Sequence, residues 1–146
     1  MITTFGKANP FDARKITLVP DDCDVIFVSD LFLEDYVGGA ELSSAALIDH
    51  APMKLVKIRS ADVSMETLQS GFQKFWIFGN YAALKHDLIP SVIGNLKYSI
   101  IEYDYKYCKY RSPEKHYAAE NKICNCSEDM HGKLISAFLF GAKSLW

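Results

Sequence analysis

No stretch of this chain approaches the roughly 18 consecutive apolar residues that a transmembrane helix needs, and no basic-then-apolar opening marks a signal peptide. Both absences lead to the expectation of a soluble cytoplasmic domain, with peripheral attachment to a membrane left open. An excess of one charge is lacking too: 16 Lys and Arg stand against 18 Asp and Glu, a net charge of −2. That balance removes the electrostatic case for a dedicated nucleic-acid or polyanion binder. Cysteine is sparse, four in 146 residues, and without a secretory signal a disulfide framework is not expected. Neither the G-x-G-x-x-G dinucleotide fingerprint nor the G-K-[ST] of a phosphate loop occurs, and G-x-S-x-G and H-E-x-x-H are also missing. Kinase, dinucleotide-oxidoreductase and hydrolase chemistries therefore find no support.

What is present is a core. Hydrophobic residues make up 49% of the chain and aromatics 13%, which excludes disorder, and 146 residues suffice for one domain but not for two ordinary ones. Residues 1–24 carry turn chemistry (Asn9-Pro10, Val19-Pro20, Asp21-Asp22) around one apolar piece, KITLV, suited to an edge strand. They read as an N-terminal extension to a domain spanning 25–146. From residue 24 strand and helix signals alternate. DVIFVS is a continuous apolar run of the kind covered on both faces of a sheet, and MKLVKIRS, KFWIFGN and YSIIEYD are further strands. Between them lie three helical stretches. The first runs from Gly39 to Ala51, stopped by Pro52, with Leu42, Ala45, Ala46 and Leu47 as its apolar positions. The second is METLQSGF, capped by Ser64, and the third is YAALKHDLI, stopped by Pro90. The alternation predicts an α/β fold, a Rossmann-like parallel sheet with flanking helices. YKYCKYRSPEKHYAAENKICNCSED reads as an irregular excursion. After it, Ser127 caps a helix, EDMHGKLISAFLFGAK, whose buried stripe is Leu134, Ile135, Phe138, Leu139 and Ala142. Leu145-Trp146 has the character of the first residues of another strand.

Ligands of open parallel sheets bind at the carboxyl ends of the strands. Here those ends read Ser29-Asp30, Arg59-Ser60, Gly79-Asn80 and Glu102-Tyr103-Asp104. Gly38 and Gly39 fall between the first strand and its helix, where bare backbone N–H groups make a ready site for a phosphate or a sugar hydroxyl. A plain tight turn is the other reading of that pair, and Glu41 reads as an ordinary partner of the helix dipole.

A strand, a loop, G-G-A-E at a helix start, then a short helix and a strand together resemble the N-terminal, acceptor-side domain of GT-B-fold glycosyltransferases of the large retaining family 4. WIFGNYAAL resembles that family's strand–Asn–helix step, and IIEYDYKYCKYR its strand that ends at the interdomain cleft. The match runs from about Asp24 to Trp146. Tyr103 stands where the family often has a histidine before the aspartate. The resemblance implies transfer of a sugar from a nucleotide-diphosphate sugar to an acceptor hydroxyl with retention, and no required cofactor. It implies Asp104 as the catalytic group at the acceptor hydroxyl, and Gly38, Gly39, Asn80, Lys106 and Arg111 as substrate-binding residues, with the two cations neutralising phosphate. The partners implied are a nucleotide sugar, a carbohydrate or lipid-linked acceptor, and a C-terminal donor domain in cis or in trans. Without that second domain the chain reads as a fragment truncated at its C-terminus and inactive alone. The alternative is a non-catalytic sugar- or nucleotide-binding half-domain that pairs with a separate donor-binding subunit or with itself as a homodimer. The family's donor-side glutamates lie eight apart; Glu120 and Glu128 match by count but flank KICNCS in the wrong domain, and carry no weight.

Two other features compete for the excursion. Cys108, Cys124 and Cys126, with His131 or with His116, form a candidate zinc set, although the C-x2-C knuckles of strong zinc signatures are missing. Ordinary thiols are the plainer reading. Y-K-Y-C-K-Y-R mixes aromatics and cations as single-strand nucleic-acid platforms do, but the acidic balance of the whole chain argues against that use, and no nucleic-acid partner is expected.

Overall fold

The computed structural model describes residues 15–146; residues 1–14 of the expected extension lie outside the described residues. Four strands form one sheet: β1 (Val25–Ser29), β2 (Leu55–Arg59), β3 (Phe75–Phe78) and β4 (Lys97–Ile100). Their order is β2-β1-β3-β4 and every pairing is parallel, with Ile26 opposite both Val56 and Trp76, and Phe78 opposite Ile100. The VIFVS run of β1 is buried throughout because this strand has neighbours on both edges. The helices are α1 (Gly39–Asp49), α2 (Met65–Ser70), α3 (Ile89–Asn95), α4 (Pro113–Glu120) and α5 (Met130–Gly141). The α/β class with a parallel sheet, expected from the alternation, is what the chain adopts.

The main core lies on one face of the sheet. Alternate strand residues Ile26, Val28, Trp76, Phe78, Tyr98 and Ile100 meet Leu68 of α2, Ile89 and Val92 of α3, and Ile135 and Phe138 of α5. Phe138 is the hub, its ring 5.1 Å from Phe78, 4.9 Å from Tyr81 and 5.0 Å from Tyr98. Two polar atoms entering this core are paired: Trp76 donates its indole N–H to Gly71 O at 2.8 Å, and Tyr98 its hydroxyl to Phe138 O at 2.6 Å. The predicted stripe of α5 therefore holds. Its cap is Asp129 rather than Ser127, accepting from Gly132 N at 2.7 Å.

Across the other face, among the described residues, lies only α1. Phe75, Ile77 and Ile101 are half-buried there, beside an apolar groove of about 480 Å³ that also takes in Leu47, Met53 and Trp146. The expected apolar side of α1 is not its buried side: Leu42 and Leu47 are 52% and 53% exposed, while Glu41 and Ser44 are buried.

Other expectations are corrected. Pro90 begins α3 instead of ending a helix, since a first-turn proline gives up an N–H that would have no partner and presets φ. Ahead of it residues 81–85 are turn and irregular backbone, followed by one 3-10 turn at His86–Leu88. KITLV is no strand. Thr17 O accepts from Thr67 Oγ1 at 2.7 Å and Val19 N donates to Ser70 Oγ at 2.9 Å, so side chains of α2 pin this segment and Val19 enters the core. The excursion contains α4, capped by Ser112 with Pro113 in its first turn. Residues 144–146 pair in parallel with β4: Ile100 N donates to Ser144 O, Trp146 N to Ile100 O, and Glu102 N to Trp146 O.

Candidate functional site

Because β1 connects to β2 on one side and neighbours β3 on the other, the strand order reverses between β1 and β3. A crevice at the carboxyl ends of such a pair is where parallel sheets bind ligands. Asp30 and Asn80 stand there together, Asp30 N donating to Asn80 O at 2.8 Å. The Asp30 carboxylate accepts from the backbone N–H groups of Ala82 and Ala83, each at 2.9 Å, and from the Ser60 hydroxyl. Asp30 thus fixes the turn after β3. Asn80 Oδ1 is buried and has no hydrogen-bond partner.

The two glycines differ in what surrounds them. Gly38 caps α1 with extended backbone and no side-chain cap. A Cβ on it would lie 2.5 Å from Glu41 Oε2 and 2.8 Å from the Tyr36 ring, so these side chains close over a position that only glycine fills without displacing them. A Cβ on Gly39 would meet nothing within 4 Å. The helix start therefore has open space at Gly39, while the Glu41 carboxylate lies over the adjacent Gly38. An anion placed there would face that carboxylate, whereas a hydroxyl could accept from the backbone N–H and donate to Glu41. Sequence reasoning treated Glu41 as a dipole partner alone; its position three residues after Gly38 was the available signal. Tyr103 joins α1 to the end of β4, its hydroxyl 2.8 Å from Ser44 Oγ.

Asp104, Lys106 and Arg111 form one ion-pair cluster. Arg111 Nη1 donates to both carboxylate oxygens of Asp104 at 2.8 and 2.9 Å, with Arg111 in the left-handed region at φ 60°. Lys106 is buried: Nζ lies 2.8 Å from Glu102 Oε1 and 3.5 Å from Asp104 Oδ1, over the rings of Tyr81 and Tyr103. Such burial means that it is not a solvated surface charge. Both cations already face carboxylates, and both line a groove of about 250 Å³ with Tyr81, His86 and His131. Burial, helped by the Glu102 charge, pushes the Tyr81 phenol far above its ordinary value, and its hydroxyl has no partner. This groove does not include Gly38, Gly39 or Asn80.

A second constellation lies in the excursion. One ligating atom from each of Cys108, His116, Cys124 and Cys126 falls within 4.8 Å of all the others. His116 Nδ1 is 3.5 Å from both Cys108 Sγ and Cys126 Sγ. His116 Nε2 sits 3.3 Å from Glu120 Oε2, off the direction of a hydrogen bond. The histidine beside the thiols is thus His116; His131 instead packs on His86, ring centroids 5.1 Å apart. Burial alone would raise the Cys108 thiol, but hydrogen bonds from His116 and neighbouring groups outweigh it and hold the thiol below its ordinary value. Burial pushes the Cys126 thiol up. The spacing C-x7-H-x7-C-x-C escaped reading because α4, which carries His116 inward, was not foreseen. Ser112-Pro113-Glu114 was the signal for that helix.

Fold and site together define an α/β domain on a parallel sheet whose polar loops gather at the carboxyl edge. Comparison with protein-family models, with curated proteins and with solved structures finds no match to this chain. Among the described residues, no helix is long and apolar enough to cross a membrane.

Proposed function

We propose that this chain is the acceptor-side half of a retaining GT-B-fold glycosyltransferase, with a Rossmann-like sheet holding a hydroxyl-rich acceptor for attack on a nucleotide-diphosphate sugar. The observation that carries the reading is the open space at Gly39, with the Glu41 carboxylate over the adjacent Gly38, at the start of the helix that follows β1. A donor N–H and an acceptor carboxylate side by side match the two-way hydrogen bonding of a sugar hydroxyl. Asn80 Oδ1, buried without a partner at the neighbouring strand end, offers a second acceptor for an O–H. In this reading Asp104 accepts from the attacking hydroxyl. The Arg111 guanidinium keeps that carboxylate oriented, and the buried Lys106 ammonium lies 3.5 Å from it. The diphosphate belongs to the donor domain, in cis or in trans. The apolar second face of the sheet, with only α1 across it among the described residues, is consistent with a further packing partner.

Saturation-transfer NMR with a panel of free mono- and disaccharides and with uridine- and guanosine-diphosphate sugars tests this. The expected result is a contact signal from at least one free sugar with the native protein, lost in Gly39→Val. A native protein that contacts none of the panel, or a Gly39→Val variant with undiminished contact, would overturn the reading.

A further inference from the structure

The excursion from Asp104 to Asp129 has no apolar core of its own. Its buried side chains are Lys106, Cys108, His116 and Cys126, while Tyr117 and Ile123 point outward at 55% and 84% exposure. Two residues in it, Arg111 and Asn121, hold left-handed backbone, at φ 60° and 51°, and they bracket α4. Such a segment, bent twice and lacking hydrophobic burial, needs another source of order. What it buries is three thiols, one of them only partly, and an imidazole, converging on one point.

We propose that Cys108, His116, Cys124 and Cys126 bind one zinc ion, which staples the excursion and so sets the position of Asp104, Lys106 and Arg111. The geometry fits the metal. Zinc–sulfur bonds of about 2.3 Å and zinc–nitrogen bonds of about 2.0–2.1 Å put neighbouring ligands of a tetrahedron about 3.5–3.8 Å apart. His116 Nδ1 already stands 3.5 Å from two of the sulfurs, and the widest separation in the set is 4.8 Å. Three thiolates and an imidazole are a soft donor set that selects zinc over magnesium or calcium. With four protein ligands the site is closed, hence structural, and does not activate water. His116 coordinates through Nδ1, and its buried, unpartnered Nε2 lies 3.3 Å from the Glu120 carboxylate, within a small ring rotation of the outer-shell hydrogen bond that orients a metal-bound histidine. Lys109 and Tyr110 hold the other Glu120 oxygen in place. The steric closure at Gly132 fits as well: a Cβ there would lie 1.7 Å from Cys126 O, so the start of α5 is pressed against the turn that carries the last ligand. This site is independent of the sugar-binding reading, and either can fail alone.

The test uses the full chain produced in zinc-supplemented medium and purified without chelator. Elemental analysis is expected to give about one zinc per chain in the native protein and in His131→Ala, and less than about 0.2 in Cys126→Ser. Because Cys126→Ser can also fail to fold, the native chain is stripped with a chelator and refilled with Co²⁺. Tetrahedral thiolate coordination then shows as a sulfur-to-cobalt charge-transfer band, which should strengthen in His116→Cys. Hydrogen exchange on the stripped native protein should lose protection at residues 105–128 and keep it in β1 and β3. Native protein without zinc, zinc lost in His131→Ala, zinc retained in Cys126→Ser, or a Co²⁺ form with no charge-transfer band would each overturn the assignment.

Discussion

Glycines at three positions do different things, and substitution separates them. At Gly39 a side chain has open space, so Gly39→Val should change stability by no more than about 0.5 kcal/mol, because valine is no worse than glycine in a helix. Urea unfolding of the variant checks this, and only a folded variant makes the loss of sugar contact meaningful. At Gly38 the neighbours are side-chain ends of Tyr36 and Glu41 that can swing aside, so Gly38→Ala should fold while disturbing the position of the Glu41 carboxylate. At Gly132 the obstacle is backbone, which cannot swing. Gly132→Ala should cost about 1–3 kcal/mol, the range of overpacked sites, and the same urea titration measures it. Lys106 shows how burial changes a residue's meaning. A cation read from sequence as a phosphate partner is enclosed by two carboxylates and two tyrosine rings, so what it does first is hold Glu102 and Asp104.

Elements were legible where one physical signal dominated. The continuous apolar run of β1, the Ser64 cap of α2 and the 3–4 spacing of the α5 stripe each have a single cause, and each held. Phe138 sits at the centre of that stripe, so Phe138→Ala should cost about 3–5 kcal/mol, read as a lowered urea midpoint. Elements failed to be legible where tertiary context decides. Pro90 carries the same letter whether it ends one helix or begins another. The apolar residues of α1 face outward because its polar Ser44 is wanted by Tyr103 and Glu41 by the helix start. In α4 a short polar sequence is helical with His116 as its one buried residue, a pattern that hydrophobic periodicity passes over. The cysteines of the cluster were legible as a set, but the histidine completing it was left between two. The edge strand β2 and the residue before it carry Lys54, Lys57 and Arg59, which pair with Asp22, Glu34 and Asp35. Each hydrogen-bonded cation holds its carboxyl below the ordinary value of 3.8 for Asp or 4.5 for Glu. A carboxyl whose folded pKa is depressed stabilises above its unfolded value, and that contribution is lost as pH falls through the folded one. Acidification below about pH 4 should therefore loosen β2 first, seen as faster amide exchange there than in β3, and Asp35→Asn should reduce the difference.

At the scale of the molecule, the two faces of the sheet are unequal. One carries the aromatic core under α2, α3 and α5, while the other leaves a groove rimmed by Leu47, Met53 and Trp146. Exposed apolar surface of this continuity associates with more of its kind, so the protein should self-associate as its concentration rises, measured by sedimentation velocity. Leu47→Glu, at a position 53% exposed, should return it to monomer without loss of fold. The strand order has a consequence for how the chain is made. β1, the most apolar strand, takes its place between partners that begin at residues 55 and 75. On a ribosome its VIFV segment emerges long before either partner, and until residue 78 has followed one of its two edges has no strand to pair with. Nascent chains must therefore pass through an interval in which the best core segment is the most adhesive one, and translation pauses between β1 and β3 should raise aggregation more than pauses after β3.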